Sequence, residues 1–441
     1  MVTTNPRIIK GKETRNRRKM MEIKTYELKI QNNKLSTVQN DKLYSYFQQA
    51  KWLKNDIIAS GNPFTYDYKT KQVTVRWLEN KQEKSDIREI TLPSCVKQLL
   101  LDNIKMDIYT LAKCKRKGIK VGKLKFKKEV TTIFLRQYGI RHSWCFGKKN
   151  KVRIAGLGYV SVNGMDQITK DIKEFGPAKL IRKPDGFYIQ VTCWKEKIEV
   201  RQTTIEPKDI VGIDFGIKDN IVLSTGEKLD FNVPIPKSLK RLQRKCSKSK
   251  KKSKNRRKLQ HKIRQQFQKI TNKKNDKTNK FISKMKSTYK RIFIQDENIV
   301  AWQESFFGLQ IFQSCLGRIK SGLKKLNTTT MIGMYEPTTQ LCPMCGLLNK
   351  HNLSQRQYNC SCGFSEDRDI KSAKTVVLIG LDVKYIGMEH TNFKPAEILT
   401  STFREKYNLL FNKGKLASMK QEDKSINDMS VHSTQIVDIT N

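Results

Sequence analysis

The sequence predicts a multidomain protein in which a β-rich half with a helical insert precedes an α/β half. Three observations lead to this fold class. Short segments with alternating apolar residues dominate the chain before residue 206, whereas strand-like and helix-like segments alternate after it. Four cysteines between Cys342 and Cys362 predict a small metal-binding ribbon inserted in the second half. With 441 residues, the chain is long enough for two or three domains.

A large excess of positive charge is the dominant feature of the composition. Lys and Arg total 88 residues against 41 Asp and Glu, a formal net charge of +47. Because such a chain repels itself, it needs a polyanionic partner, and nucleic acid fits better than an acidic membrane or a merely solubilising surface. No apolar run approaches the ~20 residues that span a bilayer, and the basic N-terminus lacks an apolar secretory segment. We therefore expect no membrane association and a cytoplasmic location.

The first half predicts a small β-barrel interrupted by helices. Residues 1–20 are basic and aperiodic, which indicates a loose N-terminal arm. Alternating apolar residues predict a strand at 22–30, and further short strands include a hairpin that turns at the Pro-Asp-Gly sequence of 184–186. Apolar residues at helical spacing predict two helices, at 41–59 and about 94–117. These two helices form an insertion between the β segments.

The second half contains an unusually basic segment. The stretch 237–258 holds thirteen Lys or Arg in 22 residues and no acid. A run of this kind is usually solvated or disordered, but it leads into an amphipathic helix predicted at about 259–290, which favours a phosphate-binding ridge. Periodicity fades after about residue 385, so the C-terminal tail 396–441 is expected to be largely disordered.

Acidic residues in two predicted strands are candidate metal ligands. Asp214 is the lone carboxylate in the apolar strand 211–216. Burying it unpaired would cost on the order of several kcal/mol, which a bound cation would offset, although an Asp at a strand end is often a cap. In the second strand, alternation places Gln295 and Glu297 on one face and Asp296 on the other, so both acids cannot face one site unless the strand has ended.

A third acid stands at the start of a predicted helix. Asp367 and Asp369 both precede an apolar helical pattern, and stabilisation of the helix dipole would by itself explain either one. Three acids dispersed over a central-strand pattern could instead hold two Mg²⁺ ions, which prefer hard oxygen ligands. Two such ions would flank a phosphodiester, one activating water and the other stabilising the leaving oxygen.

The cysteine cluster gives the more specific metal signal. A Cys-x-x-Cys pair is followed, fourteen residues later, by a Cys-x-Cys pair, and each pair precedes a glycine. Four thiolates match tetrahedral Zn²⁺ and leave no open coordination position, which indicates a structural role. The predicted zinc ligands are Cys342, Cys345, Cys360 and Cys362.

The order of these features resembles the TnpB (OrfB) family of transposon-encoded, RNA-guided nucleases, which are relatives of the miniature type V CRISPR effectors. The order is the Asp214 motif, a basic helix, the Gln-Asp-Glu strand, the zinc ribbon and the sequence Asp-Arg-Asp-Ile-Lys-Ser-Ala. The ribbon between the last two acids is its most specific feature. The resemblance covers about residues 21–395.

The resemblance implies a domain organisation in which a β-barrel wedge and a helical recognition insert precede an RNase H/RuvC-like α/β nuclease domain. The implied boundaries are an arm at 1–20, a wedge at 21–36 and 119–205, a recognition domain at 37–118, a nuclease domain at 206–336 and 364–395, a zinc ribbon at 337–363 and a tail at 396–441.

It also implies a catalytic, magnesium-binding triad of Asp214, Glu297 and Asp369. The middle acid departs from the sequence motif that is commoner in the family. Gln295 stands where that motif has its glutamate, and Glu297 lies two residues further on. The implied partners are a guide RNA of the omega-RNA type and double-stranded DNA that carries a short adjacent motif. The implied setting is the cytoplasm of a prokaryotic cell, with action at the nucleoid.

Three functions remain open on the sequence alone. The first is an RNA-guided, Mg²⁺-dependent DNA endonuclease associated with a transposon, or its close counterpart, a miniature type V CRISPR effector. The second is a nuclease-inactive, RNA-guided DNA-binding regulator, which Gln295 favours. The third is a plain RNA-binding protein with a zinc ribbon, which leaves the placed acids unexplained. The sequence does not fix the guide sequence, the adjacent motif or the oligomeric state.

Overall fold

The computed structural model describes residues 6–79, 82–136, 138–139, 143–169, 171–196, 205–350, 352, 355–381 and 396–411. The chain divides into two compact units, Met1–Glu199 and Val200–Asn441. Among the described helices, none combines the length and the apolar character that a bilayer span requires.

The first unit is an antiparallel β-sheet with helices packed on it. Its elements are α1 (Pro6–Lys19), β1 (Met21–Ile30), α2 (Thr37–Ala59), β2 (Gln72–Glu79), β3 (Gln82–Glu89), α3 (Ser94–Arg116), β4 (Thr132–Leu135), β5 (Trp144–Phe146), β6 (Lys151–Ile154), β7 (Gly158–Asn163), β8 (Ile172–Lys183) and β9 (Gly186–Glu196). Seven strands of the described part pair in the order β4-β8-β9-β1-β7-β6-β5.

This sheet is a partly closed version of the predicted barrel. Within the described residues, no ladder joins the edge strands β4 and β5. Side chains close part of the gap instead: the indole Nε1 of Trp144 on β5 donates to the carbonyl oxygen of Gly176 on β8 at 3.2 Å. The rings of Phe146 and Phe175 lie 5.0 Å apart, edge to face. The predicted hairpin turn is present, with Gly186 at φ +137°.

Both predicted helices of the insert are present as α2 and α3. Ser36 caps α2 by accepting a hydrogen bond from the N–H of Gln39, whose side chain bonds back to the Ser36 N–H. The apolar stripe of α2 packs on the sheet. It includes Phe47, whose ring stacks on that of Phe187 with 5.8 Å between the ring centroids. A two-stranded hairpin, β2 with β3, separates α2 from α3 and was missing from the purely helical prediction.

The N-terminal arm needs a correction. Residues 6–19 form the helix α1 rather than a loose arm. Its last turn is bound to the sheet, because the Arg18 guanidinium lies 4.0 Å from the Trp194 ring centroid and pairs with Glu174. Ion pairing and stacking by basic residues therefore replace the apolar periodicity that would have signalled a helix. Residues 1–5 lie outside the described part of the chain.

The second unit combines a mixed sheet with helices and a small ribbon. Its elements are β10 (Ile210–Phe215), β11 (Ile221–Leu223), β12 (Lys228–Leu229), α4 (Lys237–Lys248), α5 (Lys254–Thr288), β13 (Arg291–Gln295), α6 (Ile299–Glu304), α7 (Gly308–Gln313), α8 (Leu316–Leu323), β14 (Thr329–Ile332), β15 (Gln357–Asn359), β16 (Ser365–Asp367), α9 (Arg368–Gly380) and α10 (Ala396–Phe411).

The mixed sheet places β10 in the centre of its order, β12-β11-β10-β13-β14. β11 runs antiparallel to β10, while β13 runs parallel to β10 and β14 runs parallel to β13. One face of β10 is buried, as Val211, Ile213 and Phe215 are each at most 6% exposed, and on the other face Gly212 is buried while Asp214 is partly exposed. Helix α9 crosses it at close range: a Cβ added to Gly212 would lie 2.0 Å from the carbonyl oxygen of Ala373.

The basic segment is helical rather than disordered. It forms α4 and the start of α5, which begins at Lys254, five residues before the predicted start. Ser253 caps α5 by accepting from the N–H of Arg256 at 3.1 Å. The two helices are joined by the Arg256 guanidinium, which donates to the carbonyl oxygen of Cys246 at 2.7 Å. The lysine-rich surface is therefore carried by ordered backbone.

The C-terminal tail also needs a correction, because residues 396–411 form helix α10. Phe403 and Tyr407 of this helix are 0% and 3% exposed, so α10 covers part of the apolar core beside α9. Aromatic residues at i and i+4 carry this contact, a signal too short to stand out in a polar tail. The predicted disorder of 412–441 concerns residues outside the described part.

Candidate functional site

The fold brings three acids from separate segments to one end of β10. Asp214 lies on β10, two residues beyond the point where Ala373 of α9 covers Gly212. Asp369 lies one helical turn before Ala373, which places it over the same strand. Glu297 follows β13, the parallel neighbour of β10, in which Ile294 is paired with Ile213. The carboxyl ends of two adjacent parallel strands and the start of a helix therefore meet here.

Electrostatics confirm that these acids act on one another. Burial raises the pKa of Asp214 to about 8, and the neighbouring carboxyl groups of Asp369 and Glu297 add to the shift. Burial also raises the pKa of Glu297, with a further contribution from Asp296. Nearby positive charge, from Lys371 and Arg368 at Asp214 and from Lys320 at Glu297, offsets these shifts only in part, and a bound cation would offset them further.

Asp369 is already held by two arginines. Its carboxylate accepts from Arg356 Nη1 at 3.0 Å and from Arg368 Nε at 3.3 Å. Arg356 comes from the residues just before β15, and its side chain is half exposed. The carboxylate of Asp369 is therefore paired with positive charge in this structure.

The structure resolves which acid caps α9. Asp367 is the N-cap, since its Oδ1 accepts from the N–H groups of Asp369 and Ile370 at 3.0 and 3.2 Å. Its other oxygen accepts from Lys228 Nζ at 2.7 Å. Asp367 is thereby engaged, and the carboxylate of Asp369 makes no backbone cap bond within the described residues.

The region after β13 does not follow the predicted strand alternation. β13 ends at Gln295, and the chain turns, with the N–H of Glu297 bonded to the carbonyl oxygen of Gln295 at 3.0 Å. Asp296 pairs with Lys320, which lowers the pKa of Asp296. The turn, rather than a shared strand face, is what directs Glu297 towards Asp214.

Gln295 is committed to the segment that leads into the ribbon. It is 5% exposed, and its Nε2 donates to the carbonyl oxygens of Met334 and Glu336 at 3.0 and 2.9 Å. Its Oε1 accepts from the hydroxyl of Thr338 at 2.9 Å. The amide is thus used as both donor and acceptor, which a carboxylate cannot do at this position. Gln295 therefore has a structural role at this position.

The four cysteines form a tetrahedral set of thiols. Their sulfur atoms all lie within 4.8 Å of one another. The Sγ atoms of Cys342 and Cys362 are 3.7 Å apart, and those of Cys345 and Cys360 are 3.6 Å apart. A tetrahedral ZnS₄ centre with bonds of ~2.3 Å requires S–S separations of roughly 3.8 Å. The residues therefore fit a structural zinc ion.

Two tight turns and a polar neighbour support this cluster. Gly346 and Gly363 follow the cysteine pairs at φ +71° and +85°, a conformation that favours glycine. Asn349 Nδ2 donates to Cys360 Sγ at 3.0 Å, as a partner of a metal-bound thiolate would. Burial raises the pKa of Cys345 to about 11, so a cation is needed to keep its thiolate at neutral pH.

A buried lysine joins the ribbon to the helix that carries Asp369. Lys371 is 0% exposed, and burial lowers its pKa to about 7. Its Nζ donates to the carbonyl oxygens of Thr338, Thr339 and Leu341 at 3.0, 2.7 and 3.1 Å. The ammonium also lies 4.0 Å from the centroid of the Tyr358 ring. These contacts satisfy all three of its donors without a carboxylate partner.

Sequence reasoning missed the roles of Lys371, Arg356 and Thr338. A signal for Lys371 was present, because a lysine among the apolar residues of a helix either snorkels to the surface or has internal partners. Arg356 and Thr338 gave no such signal. Their importance depends on which carboxylate and which amide the fold brings near them.

Two protein-family models match parts of the chain. Residues 192–301 match the family model OrfB_IS605, described as a probable transposase. Residues 327–376 match the model of the Cas12f1-like TNB domain. These matches confirm the resemblance to TnpB-like proteins that the motifs indicated. The first match contains Asp214 and Glu297, and the second contains Asp369 and the four cysteines. No sequence among the curated proteins matches the chain.

Two solved structures are similar over most of the chain. One, reported as the cryo-EM structure of a Cas12f1-sgRNA-target DNA complex, shares 12% identity, with a TM-score of 0.46, over 81% of this chain and 99% of that one. The other, CasPhi-2 (Cas12j) bound to crRNA and phosphorothioate-DNA, shares 12% identity, with a TM-score of 0.30, over 72% of this chain and 64% of that one.

Proposed function

We propose that this protein is an RNA-guided DNA endonuclease associated with a transposon. The observation that carries the proposal is the convergence of Asp214, Glu297 and Asp369 at the end of β10, where the pKa of Asp214 is raised to about 8. The mixed order of the sheet, with β10 central, supports an RNase H/RuvC-like assignment for the second unit. The two family matches support a transposon or type V effector setting.

Under this proposal the three acids hold Mg²⁺, for which carboxylate oxygens are suitable ligands. When bound, the metal supplies an activated water and stabilises the leaving oxygen of a phosphodiester. Asp214 and Glu297 provide buried negative charge, while Arg368 and the half-exposed Arg356 provide positive charge for the phosphate beside Asp369.

The charge of +47 supports RNA and DNA as partners. We propose that the ordered basic surface of α4 and the start of α5 binds phosphates, and that the first unit serves as wedge and recognition domains. Guide RNA would then supply base pairing, while the protein holds the backbone and reads a short adjacent motif. The place of action would be the cytoplasm, at the cell's own or invading DNA.

The rival function is an RNA-guided regulator that cannot cut. It depended on Gln295 as a lost glutamate, but Gln295 is bonded to the segment before the ribbon. A plain RNA-binding protein would not require three buried or half-buried acids at one point.

Cleavage of a guided plasmid tests the proposal. Protein purified with its RNA is mixed with a plasmid carrying the matching target, with and without Mg²⁺, beside Asp214→Ala. Linear product with the parent and Mg²⁺, and none with Asp214→Ala, is the expected result. Binding without cleavage by the parent under all conditions would favour the regulator. A preparation free of nucleic acid, with binding indifferent to salt, would contradict guided action altogether.

A further inference from the structure

The segment 334–341, which runs from β14 towards the first zinc knuckle, is held from two sides. Gln295 binds its first part through the carbonyl oxygens of Met334 and Glu336. Lys371 binds its second part through three carbonyl oxygens. Both side chains are buried, so water cannot replace any bond that is lost. The segment therefore cannot slide without leaving a buried amide or ammonium unsatisfied.

In the sequence, each of these two side chains lies close to one acid of the candidate site. Gln295 lies two residues before Glu297, and Lys371 lies two residues after Asp369. They belong to β13 and α9, elements that approach the central strand β10 from different directions. Whatever fixes Gln295 relative to Lys371 therefore also fixes the backbone positions from which Glu297 and Asp369 project.

Thr338 joins Gln295 to Lys371. Its hydroxyl donates to Gln295 Oε1 at 2.9 Å, while its carbonyl oxygen accepts from Lys371 Nζ at 3.0 Å. The residue is 3% exposed. Among the described side-chain hydrogen bonds, Thr338 is the one partner that Gln295 and Lys371 share.

We propose that Thr338 is a positioning residue that ties Gln295 to Lys371 and so fixes the spacing of Glu297 and Asp369. The inference rests on the proposed function of those acids as metal ligands. It makes the segment 334–341, which we call the strap, a support of the candidate site. The conservative change Thr338→Ser keeps the tie, whereas the nearly isosteric Thr338→Val removes the hydroxyl and leaves the carbonyl bond to Lys371.

The test measures Mn²⁺ binding to the full-length protein by electron paramagnetic resonance, together with zinc content. Thr338→Val is expected to weaken Mn²⁺ binding by roughly tenfold, the usual effect of a residue that orients metal ligands. Thr338→Ser should bind as the parent does. Thr339→Val is the matched control, since it makes the same change at the adjacent, exposed side chain. Zinc content should stay at the parent level in all three.

A parent-like Mn²⁺ affinity for Thr338→Val would overturn the inference. Asp214→Ala, measured in the same way, separates this failure from that of the proposed function: it should abolish Mn²⁺ binding, and if it does not, the acids are not the metal site.

Should Thr338→Val lose zinc, Gln295→Met provides the second test. It removes the Gln295 side of the tie and leaves the three bonds of Lys371 to the ribbon side of the strap. The double variant Gln295→Met/Thr338→Val should then bind Mn²⁺ no more weakly than Gln295→Met alone, because both changes break one interaction. If the factors by which the two single changes weaken Mn²⁺ binding multiply in the double variant, Gln295 and Thr338 act independently. That result would overturn the proposed link between them.

Discussion

The cysteine cluster and the carboxylate cluster differ in how completely the fold assembles them. The four sulfur atoms already lie within 4.8 Å of one another, and two pairs are 3.6 and 3.7 Å apart, close to the separations of a tetrahedral zinc centre. In the described part of the chain, they are the one group of three or more potential metal ligands within 4.8 Å of one another. The three acids stand further apart, and Asp369 is held by two arginines.

The origin of the difference is the length of chain that each site spans. Two knuckles with glycine turns, separated by a short hairpin, assemble the sulfur atoms locally. The acids come from β10, the turn after β13 and the start of α9, so their spacing depends on the packing of the whole second unit. A structural metal gains from a preformed site, whereas a catalytic site needs room for substrate and for metals that keep several waters.

The largest expected effect comes from removing an acid. Asp214→Ala, Glu297→Ala and Asp369→Ala should each lower guided DNA cleavage by roughly a thousandfold or more, because each removes charge from the metal site. Zinc content should not change, since the cysteine cluster is assembled separately. Rates from single-turnover plasmid cleavage, together with elemental analysis, provide the measurement.

Asp296→Ala is the matched control for Glu297→Ala. Asp296 is engaged in an ion pair with Lys320, so its removal should leave most of the cleavage rate. An essential Asp296 beside a dispensable Glu297 would show that the turn after β13 is oriented differently in the active complex.

Removing zinc ligands should affect both sites. Cys360→Ser is expected to abolish the one zinc per chain, to lower the unfolding temperature, and to reduce cleavage through the strap and Lys371, which join the ribbon to α9. The buried Cys315, which lies outside the cluster, provides the control as Cys315→Ser. Active, fully stable Cys360→Ser protein without zinc would mean that the ribbon is independent of the carboxylate cluster.

The same difference in the length of chain explains how much of each site could be predicted from the sequence. The zinc ligands lie within one short stretch, so spacing alone identified the set, and the geometry fits it. For the acids, residue type and order narrowed the choice, but strand alternation gave the wrong reason for Glu297, because β13 ends at Gln295. Where a strand ends depends on tertiary hydrogen bonds such as those of Gln295, which no local pattern shows. The helix α1 was missed because its contacts are ionic, and α10 because its aromatic contacts stand in a polar context.

Truncation at the C-terminus should have a smaller, position-dependent effect. Phe403 of α10 lies against the first knuckle, since a Cβ on Gly346 would meet its ring at 3.1 Å. Removal of residues 396–441 should therefore destabilise the ribbon, and Phe403→Ala alone should cost about 3–5 kcal/mol of unfolding free energy. Removal of 412–441 only should leave thermal stability and guided cleavage near the parent level. Equal behaviour of the two truncations would show that α10 contributes nothing to the ribbon.

A pH dependence of stability is expected from Asp214 of the carboxylate cluster. In the folded protein without divalent metal, burial and the neighbouring acids raise the pKa of Asp214 to about 8, from 3.8. The folded state then binds more protons than the unfolded state between these values, so stability falls as the pH rises through this window. Asp214→Asn cannot ionise and should lose this decline, which makes it more stable than the parent near pH 8 and little different near pH 4.

Thermal unfolding in magnesium-free buffer with zinc retained measures this effect, and Asp214→Asn is expected to unfold at a higher temperature than the parent at pH 8. Added Mg²⁺ should stabilise the parent at pH 8 and leave Asp214→Asn unchanged, because cation binding to the ionised acids favours the folded state. Burial raises the pKa of Cys345 as well, but bound zinc keeps that thiolate ionised throughout the window, so the cysteine cluster should add no decline. If parent and Asp214→Asn lose stability in parallel, the charge of Asp214 is compensated in the folded protein even without metal, and the two clusters would be equally preassembled.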